Sequence, residues 1–400
     1  MKTLGFKLFF IIYIFLFIFS CSNKKEEEIV RIVFYKVPND VAENVKSVLR
    51  KQFSNNDEKL ELVFEEINKA TKLKERVEKD ENVSLIFSNS IHLPFENAKT
   101  VPFDVSLYET FPSCIKRYSF GTLEKNAEGA SALPILLDSY HLFFNNTVLE
   151  EQNRLIFRNT YDFSNMLKSF SSNTKYPFMC AGGEDETLLF FVANVMQMVG
   201  DVYSLKNKKI SSIKDRDEVF NNALELIVEW QKNGFLHPEW FRLKHKDISI
   251  FMGLKEIGVL FTQMSEYKKN ESKQFYSLMP MSFPLSKNSP LNGLPISVLS
   301  IIKPIQKKEA TSEDKNSYIS KIIEYCISIE GQKNLSDKTG FNSSSMSNAS
   351  QSSATSVRYL LATVSVVLED AGTILFEDSN DTTILANEIR EYFQANGVGY

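Results

Sequence analysis

Polar residues that directly follow apolar runs are the part of this sequence best suited to chemistry. The first group is Ser88, Asn89 and Ser90, after the run Val83–Phe87. Their hydroxyl and amide groups donate and accept hydrogen bonds, and in open α/β sheets a ligand lies beyond the carboxyl ends of the strands. The group therefore predicts hydrogen bonding to a polar solute. Because Ser and Asn are also common turn residues, an ordinary turn is the alternative.

A second polar group follows the run Tyr176–Ala181 and precedes an apolar helical segment. It consists of Gly182, Gly183, Glu184 and Asp185. Paired glycines allow the backbone to approach a ligand closely, and the amides at a helix start can donate hydrogen bonds. Two adjacent acids favour a hydroxyl or a cationic group over a phosphate, because like charges repel at short range. The alternative is that the acids only complement the helix dipole.

Trp240 is the third candidate. It follows a predicted amphipathic helix over Val219–Trp230, which Gly234 terminates. An aromatic plane can stack on the apolar C–H face of a ring-shaped ligand such as a sugar, so Trp240 is a candidate for a position in or near a ligand pocket. Packing against the helix and its loop is the alternative role.

Catalytic and metal-binding patterns are not recognisable in this sequence, and no cofactor is expected. It has no nucleophile motif and no phosphate-binding loop, and its cysteines and histidines are scattered. Adjacent acids such as Glu65 and Glu66 do not predict the separation across a cleft that a glycosidase needs, so an extracytoplasmic hydrolase is a minor alternative. A net charge of −4 gives no general attraction to nucleic acid.

The size of the chain predicts two lobes. Four hundred residues exceed one core of ~100–200 residues, and 43% hydrophobic with 24% charged residues is an ordinary globular composition. From Ile29 onward, strand patterns alternate with helical ones, which indicates an α/β fold. Residues 91–131 are less regular and contain interspersed aromatic residues, for which core packing is favoured over capping of a pocket.

The first residues predict export and anchoring. Lys2 and Lys7 precede a short apolar run that ends at Phe19, and Cys21 follows in a lipobox-like context. We interpret residues 1–21 as a lipoprotein signal with acylation of Cys21 and residues 22–29 as a tether. An uncleaved anchor helix is the alternative. Either version places the protein outside the cytoplasm, on a bacterial membrane.

The stretch Ala132–Glu150 organises the rest of the chain. Its apolar run is interrupted at Asp138 and resumes at Leu142, which predicts buried extended chain on both sides of a polar residue. Asn145 and Asn146 suit the start of a helix. A strand that leaves one sheet and enters another in this way connects two lobes.

This stretch resembles the inter-lobe crossover of the type 1 extracellular solute-binding proteins of ABC importers, the family of maltose-binding and other sugar-binding lipoproteins. Phe144 and Asn145 stand at the family's "YN" pair. The resemblance covers roughly residues 30–345 and continues, in the family's order, at Thr160 with Tyr161 and Asp162, Gly234 with Pro238, Phe251 with Lys255, and Ser328, Glu330 and Gln332 with Gly340.

The resemblance implies a two-lobed periplasmic-binding-protein fold of type II with hinge-closing lobes. It implies residues 30–137 as the first part of lobe 1, 138–285 as lobe 2, and the segment from 286 as the return to lobe 1, a part that we extend to residue 400 with C-terminal helices. The sequence predicts these helices over Val357–Leu368 and Ile384–Phe393, and we expect them to pack back on the lobes. Residues 342–356 are serine-rich and predict a mobile loop. The resemblance adds as expected solute contacts Asp138, Tyr140, Gln263, Asn292 and Gly293.

The function that the resemblance implies is solute capture for import, without catalysis. The expected partners are a small solute, with a sugar as the commonest class, an ABC permease, and the lipid bilayer through acylated Cys21, and the protein is expected to be a monomer. A tethered protein that uses this fold for adhesion, sensing or partner contact without transport is the alternative.

Overall fold

Strands and helices alternate along most of the chain. The computed structural model describes residues 28–54, 60–79, 82–89, 99–108, 130–145, 159–200, 212–215, 217–266, 280–281, 296–305, 312–344 and 379–397. The strands are β1 (Glu28–Tyr35), β2 (Leu60–Ile67), β3 (Leu85–Ser88), β4 (Leu133–Phe144), β5 (Tyr176–Cys180), β6 (Ile257–Gln263), β7 (Pro280–Met281), β8 (Ile296–Ile302) and β9 (Asn342–Ser343).

The helices complete the two lobes. They are α1 (Asn39–Leu49), α2 (Ala70–Glu78), α3 (Thr160–Phe170), α4 (Asp185–Val199), α5 (Glu218–Lys232), α6 (His245–Gly253), α7 (Glu313–Ile327), α8 (Ile329–Thr339) and α9 (Ser379–Asn396). A short turn of 3₁₀ helix, Trp240–Arg242, lies between α5 and α6. Among the described residues, no helix is both long and apolar enough to cross a membrane.

The first lobe is built on a mixed sheet in the order β2-β1-β3-β8-β4, with β9 on the other side of β4. β1 is parallel to both β2 and β3, and its side chains are buried on both faces. Val30, Ile32 and Phe34 belong to the larger core, whereas Val33 and Tyr35 belong to a separate cluster with residues of α2. Burial on both faces is the reason that this strand contains a nearly continuous apolar run.

β4 is shared by both lobes, as the sequence predicts. Its first part, to Ser139, pairs with β8 in the first sheet, and its second part, from Tyr140, pairs with β6 in the second. The change of sheet therefore falls between Ser139 and Tyr140. Asn145 ends the strand and donates from its side chain to the carbonyl of Ile257 at 3.2 Å. The helix expected after it lies outside the described residues.

The second lobe surrounds a smaller sheet of β5, β6 and the second part of β4, with β7 on the far side of β4. Its core includes α4, which is buried along most of its length, and the apolar face of α5. α5 ends at Lys232, and Gly234 follows its C-cap residue Asn233 with a φ of +73° that a residue with a side chain rarely adopts. The predicted glycine terminator is confirmed.

The C-terminal part divides between the lobes. α8 packs on α1 and β4 of the first lobe, whereas α9 packs on α4 of the second. The apolar face of α9 is buried there and consists of Leu385, Ala386, Ile389 and Phe393. Asn342 and Ser343, expected in a mobile loop, form β9 because their backbone pairs with β4. The predicted helix 357–368 lies outside the described residues.

Candidate functional site

A cleft of about 340 Å³ lies between the two lobes. This volume is within the range of small-molecule sites. The lining comes from the first lobe, the second lobe and the connection after β6, and consists of Pro38, Asp40, Val41, Phe341, Tyr140, Glu184, Asp185, Glu186, Thr187, His245, Gln263, Ser265 and Glu266. Of the predicted contacts, Tyr140, Glu184 and Gln263 are therefore brought together.

The wall from the first lobe is the junction of β1 and α1. β1 ends at Tyr35, Lys36 takes a left-handed φ of 53°, and Pro38 precedes the first residue of the helix. Asp40 lies in the first turn of α1, where a carboxylate is favoured by the positive end of the helix dipole. This junction lies beyond the carboxyl end of β1. Ligands of open α/β sheets bind at such ends, which is the same reason for which the residues after β3 were predicted.

Ser88 and Asn89 lie at the same edge of the sheet but do not line the cleft. Ser88 is fully buried within β3, where its backbone is in register with Tyr35 and Ser300 on the two flanking strands. The backbone amide of Asn89 donates to the carbonyl of Tyr35 at 3.2 Å. These two residues thus extend the sheet. Ser90, Asn292, Gly293 and Cys21 lie outside the described residues.

The wall from the second lobe is the start of α4. Gly182 and Gly183 precede it, yet the backbone that they approach belongs to this chain. A Cβ on Gly183 would lie 2.4 Å from the carbonyl oxygen of Arg242, and one on Gly182 would lie 2.7 Å from the Cα of Phe241. Their amides donate to the carbonyls of Leu243 and Trp240. The two glycines therefore allow the turn at 240–243 to dock, and neither is part of the cleft lining.

Asp185 is held by the last helix. Arg390 of α9 forms an ion pair with it, with Nη2 2.6 Å from Oδ1, and also donates from Nε to the carbonyl of Gly182 at 3.0 Å. The Arg390 side chain is 17% exposed and the Asp185 side chain is 37% exposed, so solvent reaches the carboxylate side of this ion pair. Glu184 caps no backbone amide of α4 with its side chain. Glu184 and Asp185 both line the cleft, so the alternative that they only complement the helix dipole is incomplete.

A polar network forms the base of the cleft in the second lobe. Gln263, at the end of β6, donates from Nε2 to the hydroxyl of Tyr140, which is in register opposite it on β4. Thr187 Oγ1 and His245 Nε2 lie 3.3 Å apart. Burial raises the pKa of Tyr140 well above its ordinary value, and the negative charge of Glu186 raises it further. Tyr140 is therefore a neutral hydrogen-bonding group at neutral pH.

Asp138 ties the two inter-lobe connections together. Its side chain is fully buried in β4, and it accepts hydrogen bonds from the backbone amide of Ser265 at 3.0 Å and from the Ser265 hydroxyl. Ser265 lies just after β6, where the chain leaves the second sheet. Asp138 does not line the cleft, and its contact with Ser265 joins the middle of β4 to the segment that follows β6.

Trp240 is buried in the core of the second lobe. It is fully inaccessible, and its ring contacts Phe191 and Phe393 at centroid distances of 5.2 and 5.0 Å. Both ring faces are thus removed from the cleft, and a solute there has no access to them. Trp240 therefore packs in the core of the second lobe, and the prediction that it stacks on a solute is wrong.

Several cleft residues were not singled out from the sequence. Asp40, Glu186, Thr187, His245, Glu266 and Phe341 all line it. Glu186 and Thr187 directly follow the predicted polar group, and Asp40 follows the end of β1. The sequence pattern could therefore have indicated all three as candidates. His245 starts α6, a helix that the apolar pattern did not indicate. Phe341 is placed by α8 and by the left-handed Gly340 that ends it.

The fold and the cleft define a class of protein. Two α/β lobes, joined by crossover segments around a solute-sized cleft, are the architecture of the two-lobed periplasmic binding proteins, and this chain has that fold. The resemblance of the sequence is confirmed at the level of fold. No protein-family model matches the sequence, and no curated protein matches it.

Solved structures that are similar to this chain span nearly its whole length. Maltose-bound MalE3 of T. maritima is 13% identical with a TM-score of 0.65, covering 92% of this chain and 94% of that one. A solute-binding protein of Agrobacterium radiobacter K84 in complex with ribitol is 11% identical with a TM-score of 0.66, covering 94% and 96%. MalE of Bdellovibrio bacteriovorus bound to maltotriose is 10% identical with a TM-score of 0.62, covering 91% and 93%.

Proposed function

We propose that this chain is the substrate-binding protein of an ABC importer and captures a small polyhydroxyl solute, most simply a carbohydrate. The observation that carries the proposal is the cleft, because its lining comes from both lobes and from the connection between them. A solute that contacts both lobes stabilises the closed state over the open one. Closure of the lobes then signals that the cleft contains a solute. The similar solved structures that contain maltose, maltotriose or ribitol support this solute class.

The polar groups of the cleft suit hydroxyl recognition. Gln263 and Tyr140 offer amide and hydroxyl groups at its base, and Thr187 with His245 offers a second pair. A site built from hydrogen-bonding side chains discriminates strongly against a ligand that leaves them unpaired. We propose that Gln263 and His245 contact the solute, that the buried Tyr140 and Thr187 hold these two side chains in place, and that the protein binds the solute without transforming it.

A thermal-shift screen of the full chain in detergent tests solute binding. The panel contains mono- and oligosaccharides, polyols and amino acids. A ligand at a hundred times its dissociation constant stabilises the native state by about 2.7 kcal/mol. Gln263→Ala should weaken binding of the solute found by roughly tenfold, the loss of about one hydrogen bond, whereas Gln394→Ala on the exposed face of α9 should not. No shift across the panel would favour the tethered, non-transporting alternative.

Anchoring and delivery are separate parts of the proposal. We propose that Cys21 is acylated after cleavage of residues 1–20 and that the closed form docks on a permease. Mass spectrometry of the protein from membranes should find a lipid on an N-terminal Cys21, and Cys21→Ser should release the protein to the soluble fraction. An intact Met1 terminus in the membrane fraction would instead support the uncleaved anchor.

A further inference from the structure

One carboxylate of the cleft wall is held by a helix that does not itself line the cleft. Asp185 is the first residue of α4, it lines the cleft, and its side chain is 37% exposed. Among the described lining residues none belongs to α9, yet Arg390 of that helix pairs with Asp185. The orientation of a carboxylate that a solute can reach is therefore set from behind the wall.

The guanidinium group of Arg390 uses all three of its nitrogens. Nη2 forms the ion pair with Oδ1 of Asp185 at 2.6 Å, and Nε donates to the carbonyl of Gly182 at 3.0 Å. Nη1 donates to the side chain of Asn387, on the same helix, at 2.9 Å. A planar guanidinium makes such a set of contacts in one orientation, whereas a lysine ammonium is a single point charge. Arg390 is thus fixed relative to the start of α4.

The helix that carries Arg390 is anchored on the second lobe. Ile389 and Phe393, on its apolar face, are fully buried. Beside them, the Glu388 carboxylate accepts from the backbone amide of Ile213 at 2.7 Å and from the Ser212 hydroxyl at 2.9 Å. Because α9 is held at these other points, the ion pair transmits the restraint from Arg390 to Asp185.

Stabilisation of the fold is the competing role for this ion pair. Ion pairs that solvent reaches contribute little to stability, and the dipole of α4 already favours a carboxylate in its first turn. Arg390 adds orientation, because it commits Oδ1 of Asp185 to the protein and does not hold Oδ2. A carboxylate that keeps its charge accepts a strong hydrogen bond from a hydroxyl group.

We propose that Arg390 is a positioning residue for solute binding, which fixes the Asp185 carboxylate so that Oδ2 accepts a hydrogen bond from a hydroxyl group of the solute. This inference rests on the proposed function and adds Asp185 to the contacts of its site. Without Arg390 the carboxylate is free to rotate, and the solute has to order it on binding. Arg390 therefore acts on affinity through Asp185.

A double-mutant cycle on solute affinity tests this dependence. Isothermal titration calorimetry uses the full chain in a detergent without a sugar head group, with maltose, maltotriose and ribitol as probes. For the probe that binds most tightly, Asp185→Ala should weaken binding by about tenfold or more, because a charged acceptor is lost. Arg390→Met should weaken it by about three- to tenfold, the cost of ordering a free side chain. The double variant should bind no more weakly than Asp185→Ala alone.

Two further variants control for charge and for folding. Arg242→Met removes a half-exposed arginine whose ion pair with Glu239 lies outside the cleft lining, and it should leave affinity within about twofold. Urea unfolding shows which variants are folded. If Arg390→Met does not fold, Arg390→Lys replaces it in the cycle, because it keeps the charge but cannot hold Gly182 and Asp185 in the same way.

The outcomes distinguish this inference from the proposed function. Unchanged affinity in the Arg390 variant, or a further loss when it is combined with Asp185→Ala, overturns the positioning role while solute capture stands. Failure of the unmodified chain to bind any probe overturns capture of this solute class and the inference with it. A loss of affinity that disappears in the Asp185→Ala background supports both.

Discussion

At the scale of the residue, the glycines before α4 show how one sequence signal supports two interpretations. Gly182 and Gly183 were expected to let a ligand approach the backbone. A side chain is indeed not tolerated at either position, because its Cβ would lie too close to other atoms. The group that approaches is the turn at 240–243 of the same chain. Sequence can indicate that a position must be small, but it does not say which atoms occupy the space.

Gly183→Ala should destabilise the protein by about 1–3 kcal/mol, because overpacking against a backbone carbonyl cannot be relieved by a rotamer change. Gly253→Ala is the matched control. Nothing lies within 4 Å of its added Cβ at the end of α6, so this variant should be neutral or slightly stabilising. Urea unfolding of both variants measures the difference. Equal stability of the two would contradict the close approach at Gly183.

His141 predicts a pH dependence. It is buried in β4, and burial lowers its pKa from 6.5 to about 3. As the pH falls below 6.5, His141 takes up a proton in the unfolded chain but not in the folded chain. The free energy of unfolding is therefore unaffected by His141 above pH 6.5 and decreases as the pH falls toward 3. The loss at about pH 5 is ~2 kcal/mol. His141→Leu should remove this part of the slope in urea unfolding at pH 7 and 5, whereas the half-buried His237→Gln should keep most of it.

At the scale of the element, β4 carries most of the architecture. Its interrupted apolar run predicted a strand that changes sheets, and the register confirms the change between Ser139 and Tyr140. The pattern was informative because a polar residue between two buried extended runs is typical of a strand that passes from one sheet to another. It did not reveal the partner of Asp138, because Ser265 is 127 residues away in sequence.

The contact between Asp138 and Ser265 should contribute to stability as a unit. Asp138→Ala leaves the buried amide of Ser265 without its acceptor, at a cost of about 1–3 kcal/mol. A double-mutant cycle with Ser265→Ala should give a coupling energy above ~0.5 kcal/mol. Asp337→Asn, on the exposed face of α8, serves as control and should change stability little. Additive effects of the two changes would show that the pair is not coupled.

The last helix, α9, should contribute to the stability of the second lobe. Phe393 is fully buried and packs on Trp240 with ring centroids 5.0 Å apart. Phe393→Ala should therefore cost about 3–5 kcal/mol, since it leaves a cavity beside a large aromatic ring. Gln394→Ala, on the neighbouring exposed position, should cost less than about 0.5 kcal/mol. Thermal or urea unfolding distinguishes the two.

At the scale of the whole molecule, the strand and helix order was predictable, whereas the convergence of the cleft was not. The run Ile296–Ile302 forms β8 at its predicted bounds. The cleft collects residues from the starts of α1, α4 and α6 and from the end of α8, and their sequence positions span 38 to 341. Local pattern identifies the ends of elements, and only the arrangement of the two sheets decides which ends meet.

The position of α9 has a consequence for biosynthesis. Trp240 is covered by Phe393, so the core of the second lobe is incomplete until nearly the whole chain has left the ribosome. The first lobe likewise needs β8 and β9, which are made long after β1. A growing chain therefore leaves the Trp240 side of the second-lobe core uncovered until α9 has been made. Exposed apolar surface of this kind makes incomplete chains prone to aggregation.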